Sequence, residues 1–369
     1  KQGDVLSAAG KTDEALEKYR SVLERFPASE PAKRIKNLVR LRERENEGLR
    51  LYRGYRFAEA QAVFREIGAE DPSRKSRMDY FDVMCLYGQG LDDEAEKKIK
   101  ALIATVAETP IRADATLWLA KFSYNRGKWS ESRKLFTAYA ELVPESPEAP
   151  EALVWSARAA FAENDFKLAI QTVTRLAEKY PDSPSRGRGF LVQGESLIEL
   201  ARFDESVLVA ERVTVAESSD AALRLRAQLL RADALFAMGA DNPARYREAL
   251  EAYTSLRSGE KLSPSVRIRL SYKLAKTLER LKRTDEAIDE YYTRVVLAFR
   301  DGRAEGVRYD DDAVAAFSRA AFRLAEEYES RGFDSQAVNV LRLVATGAVP
   351  SSAEAEKRIE RIHRKGQLL

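Results

Sequence analysis

The sequence has very few of the side chains on which most catalytic and metal sites depend. Its 369 residues include one histidine, His363, and one cysteine, Cys85. Histidine is the most frequent general base, and histidine and cysteine are the usual zinc ligands, so common catalytic triads and zinc sites are not expected. His363 lies among charged residues near the C-terminus, which favours a solvated imidazole. We therefore expect no enzymatic activity, no cofactor and no metal.

A run of three acids, Asp310 to Asp312, could suggest a site for a hard metal ion. It lacks the alternating Asp-x-Asp-x-Asp-Gly spacing that surrounds calcium. Acids directly before a helix commonly accept hydrogen bonds from its first free N–H groups. The run is therefore predicted to cap a helix that begins near Ala313.

Glycine, proline and net charge are also low. The 18 glycines and 12 prolines fall mostly between stretches rich in Ala, Leu, Glu and Arg, which indicates helices joined by short turns. The 62 basic and 59 acidic side chains leave a net charge of +3, so a nucleic-acid partner is unlikely on charge alone. No apolar run approaches the roughly 18 residues that suggest a membrane span, and we expect no membrane insertion of the chain.

What the sequence does contain is an internal repeat. A small residue, in most cases followed four positions later by a large apolar one, recurs nine times. Three successive intervals in the middle of the chain are 37 residues long, the length of a helix pair with its turns. The small anchor residues are Ala15, Ala60, Ala95, Ser132, Ala169, Ser206, Ala249, Ala287 and Ala337.

Other positions keep fixed distances from these anchors. A second small residue usually stands twelve positions earlier, as Ala157 does before Ala169, and predicts close approach of two helix backbones. Two longer segments, 241–245 and 300–312, are predicted to protrude from the surface. Residues able to end a helix in the left-handed conformation mark the turns within the pairs, namely Gly10, Gly90, Gly127, Asn164, Gly239 and Gly332. Prolines follow four of the second helices, namely Pro27, Pro72, Pro144 and Pro181.

This order of small, turn, small, large and proline positions resembles the tetratricopeptide repeat family, whose unit is about 34 residues. The resemblance implies an all-α fold, a right-handed α-α superhelical solenoid of about nine helix pairs. Residues 1–350 would form the array, with a truncated first repeat, and 351–369 a C-terminal capping helix and tail. It also implies a non-catalytic scaffold or adaptor for protein–protein interaction, with protein or peptide partners. The wide spacing and the run at 179–184 are similar to bacterial cell-envelope members, which favours the periplasm or envelope over the cytoplasm.

In this family the first helix of each pair lines the concave side of the array. Residues eight and fifteen positions before the anchors would then form an aromatic and apolar groove suited to a peptide. Met84 lies between two of these positions, and Phe236 is equivalent to one of them once the extra residues at 241–245 are allowed for. The alternative is that these side chains pack against neighbouring helices as core. The predicted groove comprises Tyr52, Tyr80, Met84, Tyr87, Leu117, Tyr124, Phe161 and Phe236.

Toward the C-terminal end the inner positions become basic. Spacings of four, three and four residues place four cations on one helical face. This face could hold an acidic peptide, or bind nucleic acid or another acidic polymer, or be a solvated face satisfied by neighbouring acids such as Glu279 and Glu326. The predicted basic stripe comprises Arg269, Tyr272, Lys273, Lys276, Arg280, Arg319 and Arg323.

Overall fold

The computed structural model describes residues 2–9, 11–216, 220–259 and 262–367. Within these ranges every regular element is a helix, and no strand occurs. The chain divides into two compact units, Lys1–Glu163 and Asn164–Leu369. Each unit is built from successive helices that pack against one another along the chain. The predicted all-α repeat architecture is confirmed.

The first unit contains nine α-helices in its described part. A short 3-10 turn, Pro72–Arg74, precedes the fifth of them. The helices are α1 (Gln2–Ala8), α2 (Thr12–Arg25), α3 (Glu30–Arg53), α4 (Phe57–Glu70), α5 (Lys75–Gly88), α6 (Asp92–Thr105), α7 (Thr109–Asn125), α8 (Trp129–Leu142) and α9 (Ala149–Ala162).

The second unit continues the series over its described residues. A π-helical stretch, Glu290–Leu297, joins α16 to α17 without a break, so these three segments act as one long helix. The helices are α10 (Phe166–Lys179), α11 (Ser185–Glu199), α12 (Phe203–Val215), α13 (Ala221–Met238), α14 (Ala244–Gly259), α15 (Pro264–Arg280), α16 (Thr284–Asp289), α17 (Ala298–Ala304), α18 (Asp311–Ser330), α19 (Asp334–Ala345) and α20 (Ser352–Gln367).

The nine predicted anchors all lie in the second helix of a pair and are buried, with at most 2% of the residue surface exposed. The large residues four positions later are buried with them, as Phe64 and Val173 illustrate at 0% exposure. A small residue beside a large one on the next turn gives interlocking surfaces, which is how helix pairs reach the density of a protein interior. The anchor pattern therefore reports core packing.

Glycine allows the closest of these contacts. A Cβ atom added to Gly48 of α3 would lie 2.7 Å from the ring of Phe64 on α4, closer than carbon atoms normally approach. At Gly194 of α11 it would lie 2.4 Å from a methyl group of Leu230 on α13. Neither glycine has a positive φ, so it is the missing side chain that matters here.

The turns within the pairs follow the prediction at most positions. Gly90, Gly127, Asn164 and Gly332 have φ between 61° and 77°, the left-handed conformation that ends a helix. Gly239 differs, with φ −61°. Its role is steric, because the Tyr246 ring lies where its Cβ would be. Gly10 lies outside the described residues.

Most of residues 300–312, which were predicted to protrude from the surface, are exposed, but Gly302 is buried and Tyr309 is half-buried. Helix α17 extends to Ala304, and Phe299 is buried. The chain then returns so that the Tyr309 ring stacks on Phe299, with 4.4 Å between ring centres. Gly302 is buried beneath the Tyr309 hydroxyl, where a Cβ atom would not fit. Tyr309 and Gly302 therefore attach the segment to the core, while most of its other residues stay at the surface.

The last helix, α20, packs against α19. Ala355 and Ile362 are buried, with 0% and 4% exposed, while His363 is exposed as predicted. None of the described helices combines the length and the apolar character needed to cross a membrane.

Candidate functional site

In the first unit, the predicted groove side chains pack mainly against other rings. Tyr52 meets Phe57 edge-on at 5.3 Å between ring centres. Tyr80 is half-buried, and this burial, with the nearby Asp114 charge, raises the pKa of its hydroxyl to about 12. Met84 is a core residue, 8% exposed. These three side chains contribute to the packing between helix pairs.

The remaining predicted groove residues of this unit lie nearer the surface. Tyr87 is 46% exposed and meets Trp118 edge-on at 5.4 Å. Tyr124 is half-buried and has Trp129 and Trp155 on its two sides, at 4.8 and 5.1 Å. Leu117 and Phe161 are also half-buried. Binding of a partner along these residues stays a prediction, and Tyr87 is the most accessible of them.

The second unit has a more clearly formed site. A cavity of about 420 Å³ opens between α13, α14, α15 and α18, and we call it the basic pocket. Helices α15 and α18 pack directly against each other, which brings their inner faces together. The basic pocket unites six residues predicted from sequence, namely Phe236, Arg269, Tyr272, Lys273, Lys276 and Arg319.

The helical repeat explains how these side chains converge. Residues three, four and seven positions apart lie on one face of a helix, so Arg269, Lys273 and Lys276 of α15 point into the same space. Ala315 and Ala316 of α18 also line the pocket, and their small side chains leave the cavity open. Arg319 follows one turn later on the same helix.

Two of the pocket's cations are neutralised within the fold. Arg269 reaches Asp312 at 3.2 Å from Nη1 and Asp310 at 3.6 Å from Nη2. Lys273 Nζ lies 2.5 Å from Asp233 of α13, which also accepts a hydrogen bond from the Tyr253 hydroxyl. These pairs hold α13, α15 and α18 together at the pocket and fix the direction of both cations.

Lys276 is different. Its ammonium lies 5.3 Å from the centre of the Phe236 ring, a cation–π distance. Partial burial lowers its pKa, and the neighbouring charges of Arg280 and Arg319 lower it further. In the described part of the chain, neither Lys276 nor Arg319 has an ion-pair partner. The pocket therefore presents two cations without a counter-charge in contact.

The predicted basic stripe is thus not a uniform row of free cations. Arg323 makes ion pairs with Glu279 at 2.5 Å, Glu327 at 2.8 Å and Glu326 at 3.2 Å. Arg280 is exposed and lies outside the pocket lining. The interpretation as a solvated face satisfied by acids fits Arg323, whereas the residues of the basic pocket form a separate site.

The acidic run and the lone cysteine have structural roles. Asp310 caps α18 by accepting a hydrogen bond from the Ala313 backbone N–H at 2.8 Å, which confirms the predicted cap. Cys85 is fully buried, and this burial raises the pKa of its thiol to about 12. Over the residues that the structure describes, no three His, Cys, Asp or Glu side chains are grouped closely enough to hold a metal ion.

Sequence reasoning missed the pocket's two carboxylates. Asp233 precedes Lys273 by 40 residues, and Asp312 follows Arg269 by 43. A signal for Asp233 does exist, because it is the single acid in α13 and lies about one repeat length before the cation it meets. For Asp312 the adjacent acids of the same run gave equally good candidates.

Comparison with protein families settles the identity of the repeat. Models described as tetratricopeptide repeat match residues 1–29, 86–147 and 124–184. These segments of the chain carry tetratricopeptide repeats. No curated protein matches it in sequence. The matched segments include the repeats around the anchors Ala15, Ser132 and Ala169.

Solved structures resemble this tetratricopeptide repeat chain in fold. The apo form of RapI has a TM-score of 0.53 at 10% identity, covering 95% of this chain and 94% of its own. A tetratricopeptide repeat protein from Parabacteroides merdae has a TM-score of 0.47 at 13% identity, covering 76% and 98%. NprR in complex with its cognate peptide NprX has a TM-score of 0.41 at 14% identity, covering 89% and 96%. At these identities the likeness to RapI concerns the fold alone.

Proposed function

We propose that this chain is a non-catalytic scaffold or adaptor that binds protein partners through short peptide segments, with the basic pocket as one binding site. The observation that carries the proposal is an open cavity of about 420 Å³ with aromatic rings, alanines and converging charges in its wall. Peptide and ligand sites commonly have roughly 300–1,000 Å³ with an apolar lining and a few placed polar groups. Stacked repeats supply the rigid support that such a site needs.

Peptide binding has more support than nucleic-acid binding. A phosphate backbone is held by a series of free cations, each of which releases a counterion. Here Arg269, Lys273 and Arg323 are already paired with carboxylates inside the fold. Nucleic acid or another acidic polymer is therefore the second candidate, and it would show affinity that collapses between low and physiological salt.

We infer that the chain is not catalytic from the surroundings of Cys85 and His363, the two side chains best suited to nucleophilic or general-base catalysis. A reactive cysteine needs a lowered thiol pKa and exposure, whereas Cys85 is buried with a raised one. A general-base histidine needs an oriented partner beside a substrate site. His363 is exposed on α20, outside the basic pocket.

A peptide-display selection tests the proposal. A random dodecapeptide library is panned against the immobilised full chain and against two tryptophan variants. Ala315→Trp fills the basic pocket, while Ala138→Trp places the same side chain on an exposed position of α8. We expect peptides to be enriched on the wild type and on Ala138→Trp but not on Ala315→Trp. Equal enrichment on both variants would reject the pocket, and no enrichment on the wild type would reject peptide binding.

The bacterial-envelope setting stays a prediction. Fractionation of the producing cells into cytoplasm, periplasm and membranes would test it. Recovery in the cytoplasmic fraction alone would contradict it.

A further inference from the structure

We infer that the basic pocket selects peptide segments in which a carboxylate side chain stands beside an aromatic or large aliphatic one. The carboxylate would lie between Lys276 and Arg319, and the apolar side chain against Phe236 and Tyr272. This inference rests on the proposed function and specifies the class of ligand. It differs from a charge stripe because only the cations without internal partners are assigned to the ligand.

The charge of the pocket favours an anion. Among the described lining residues, Asp233 and Asp312 provide two carboxylates against four cations. Because these two acids contact Lys273 and Arg269, the excess positive charge is concentrated at Lys276 and Arg319. A ligand carboxylate placed there would supply a counter-charge in direct contact, which the nearby Glu279 carboxylate does not make with Lys276.

Lys276 gains most from such a ligand. Its ammonium is partly removed from water and lies near the positive charges of Arg280 and Arg319, and both effects lower its pKa. A partly buried cation that meets a carboxylate forms a stronger pair than two solvated side chains do. The affinity for an acidic peptide should therefore depend on Lys276 more than on Arg280, an exposed arginine of the same helix.

The apolar half of the site lies directly beside these cations. The Phe236 ring packs edge-on against Tyr246 at 5.3 Å and carries Lys276 over its face. Tyr272 is fixed against Tyr291 at 5.8 Å. Both rings line the cavity with Ala315, so an incoming side chain meets rigid apolar walls. Rigid aromatic anchors give contact area with little loss of entropy.

The two acids of the pocket wall reduce the advantage that a phosphate group would gain from its higher charge. A phosphoserine carries about −1.5 to −2 charges near neutral pH, compared with −1 for a carboxylate. Lys276 and Arg319 attract a dianion more strongly than a monoanion, but Asp233 and Asp312 in the pocket wall also repel it more strongly, which offsets part of that gain. We therefore assign the site to acidic peptides, and make phosphopeptide binding an outcome of the test.

The test reads the sequences of the selected dodecapeptide pool. We expect Asp or Glu next to Phe, Tyr, Trp, Leu or Ile to be enriched on the wild type. A pool that is enriched but lacks such pairs would overturn this inference and leave the proposed function standing. A wild type that enriches no peptide would overturn both.

Calorimetry with the full chain then isolates the carboxylate. An enriched peptide is synthesised in its acidic form, as the matching Asn or Gln amide, and with phosphoserine at the same position. We expect the acidic form to bind about tenfold more tightly than the amide. The double variant Lys276→Gln/Arg319→Gln should abolish this preference, while Arg280→Gln, which removes a charge outside the pocket lining, should keep it. Equal affinities for acid and amide, tightest binding of the phosphopeptide, or an equal loss in Arg280→Gln would each overturn the inference.

A gain of affinity provides a test that misfolding cannot imitate. Asp312→Asn removes one negative charge from the pocket wall and leaves Arg269 with Asp310 alone, at 3.6 Å. We expect the acidic peptide to bind two- to fivefold more tightly to this variant, in line with the loss of a partly screened repulsion. Unchanged or weaker binding would count against the assignment.

Discussion

The contact between Gly48 and Phe64 allows the packing of one helix pair to be tested directly. A Cβ atom on Gly48 would lie 2.7, 3.0 and 3.2 Å from three carbon atoms of the Phe64 ring. Carbon atoms in good contact are roughly 3.5–4.0 Å apart, so the ring would have to move by about 1 Å. Phe64 is fully buried and stacks on Phe81 at 4.9 Å, which leaves it little room.

Two opposing effects set the size of the change in Gly48→Ala. Replacing glycine by alanine inside a helix stabilises it by about 1 kcal/mol. Overpacking a tightly filled core costs about 1–3 kcal/mol. Because the ring is enclosed, we take about 2 kcal/mol for the second effect. We therefore expect Gly48→Ala to lower the free energy of unfolding by about 1 kcal/mol.

A double-mutant cycle separates the two effects. Urea unfolding, followed by circular dichroism at 222 nm, is measured for the wild type, Gly48→Ala, Phe64→Leu and the double variant. Once the ring is gone, Gly48→Ala should be neutral or stabilise by up to about 1 kcal/mol, which gives a coupling energy of about 1–2 kcal/mol. If Gly48→Ala stabilised the protein equally in both backgrounds, the ring would not limit the approach of α3 and α4, and our reasoning would be wrong.

Three further outcomes follow from two buried core residues, Ala169 and Cys85, and from the buried carboxylate of Glu96. Ala169→Leu should destabilise the protein by about 1–3 kcal/mol through overpacking, and an unchanged melting temperature would contradict our repeat register. Burial raises the pKa of the Cys85 thiol to about 12, so this thiol should not react with a reagent such as DTNB until urea unfolds the chain. Hydrogen bonds from Lys100 and Lys128 lower the pKa of Glu96, so their stabilisation is present above its usual value of 4.5 and is lost as the pH falls through the lowered one. The stability difference between wild type and Glu96→Gln should therefore shrink in acid, and a constant difference would refute this.

The repeat fold could be predicted because its determinants are local and recur at fixed offsets. Anchors such as Ala60 and Ala287 stand one helical turn before a large side chain, and the residues at both positions are buried, as the sequence spacing predicts. The left-handed conformation of Asn164 is also a local property, because the short polar side chain of asparagine tolerates it. These features need no knowledge of distant parts of the chain.

The unpredicted features depend on residues far apart in sequence or on how a helix continues. Nothing near Lys273 indicates that Asp233, 40 residues earlier, would neutralise it. Tyr309 stacks on Phe299 after the chain has left α17, and no local residue pattern indicates this contact. The residues of the π-helical stretch likewise look like ordinary helix formers. The sequence spacing predicted that Arg269, Lys273 and Lys276 share one helical face, but it did not show which of these cations are paired with acids.

All three tryptophans, Trp118, Trp129 and Trp155, belong to the first unit, and the second has none. Intrinsic tryptophan fluorescence should therefore report the melting of residues 1–163 alone, while far-ultraviolet ellipticity follows helices of both units. Offset midpoints between the two signals would reveal that the halves of the chain melt as independent cooperative blocks, and superimposed curves would reveal a single one. The unfolding of the first unit can thus be followed by its own tryptophans, without an added dye.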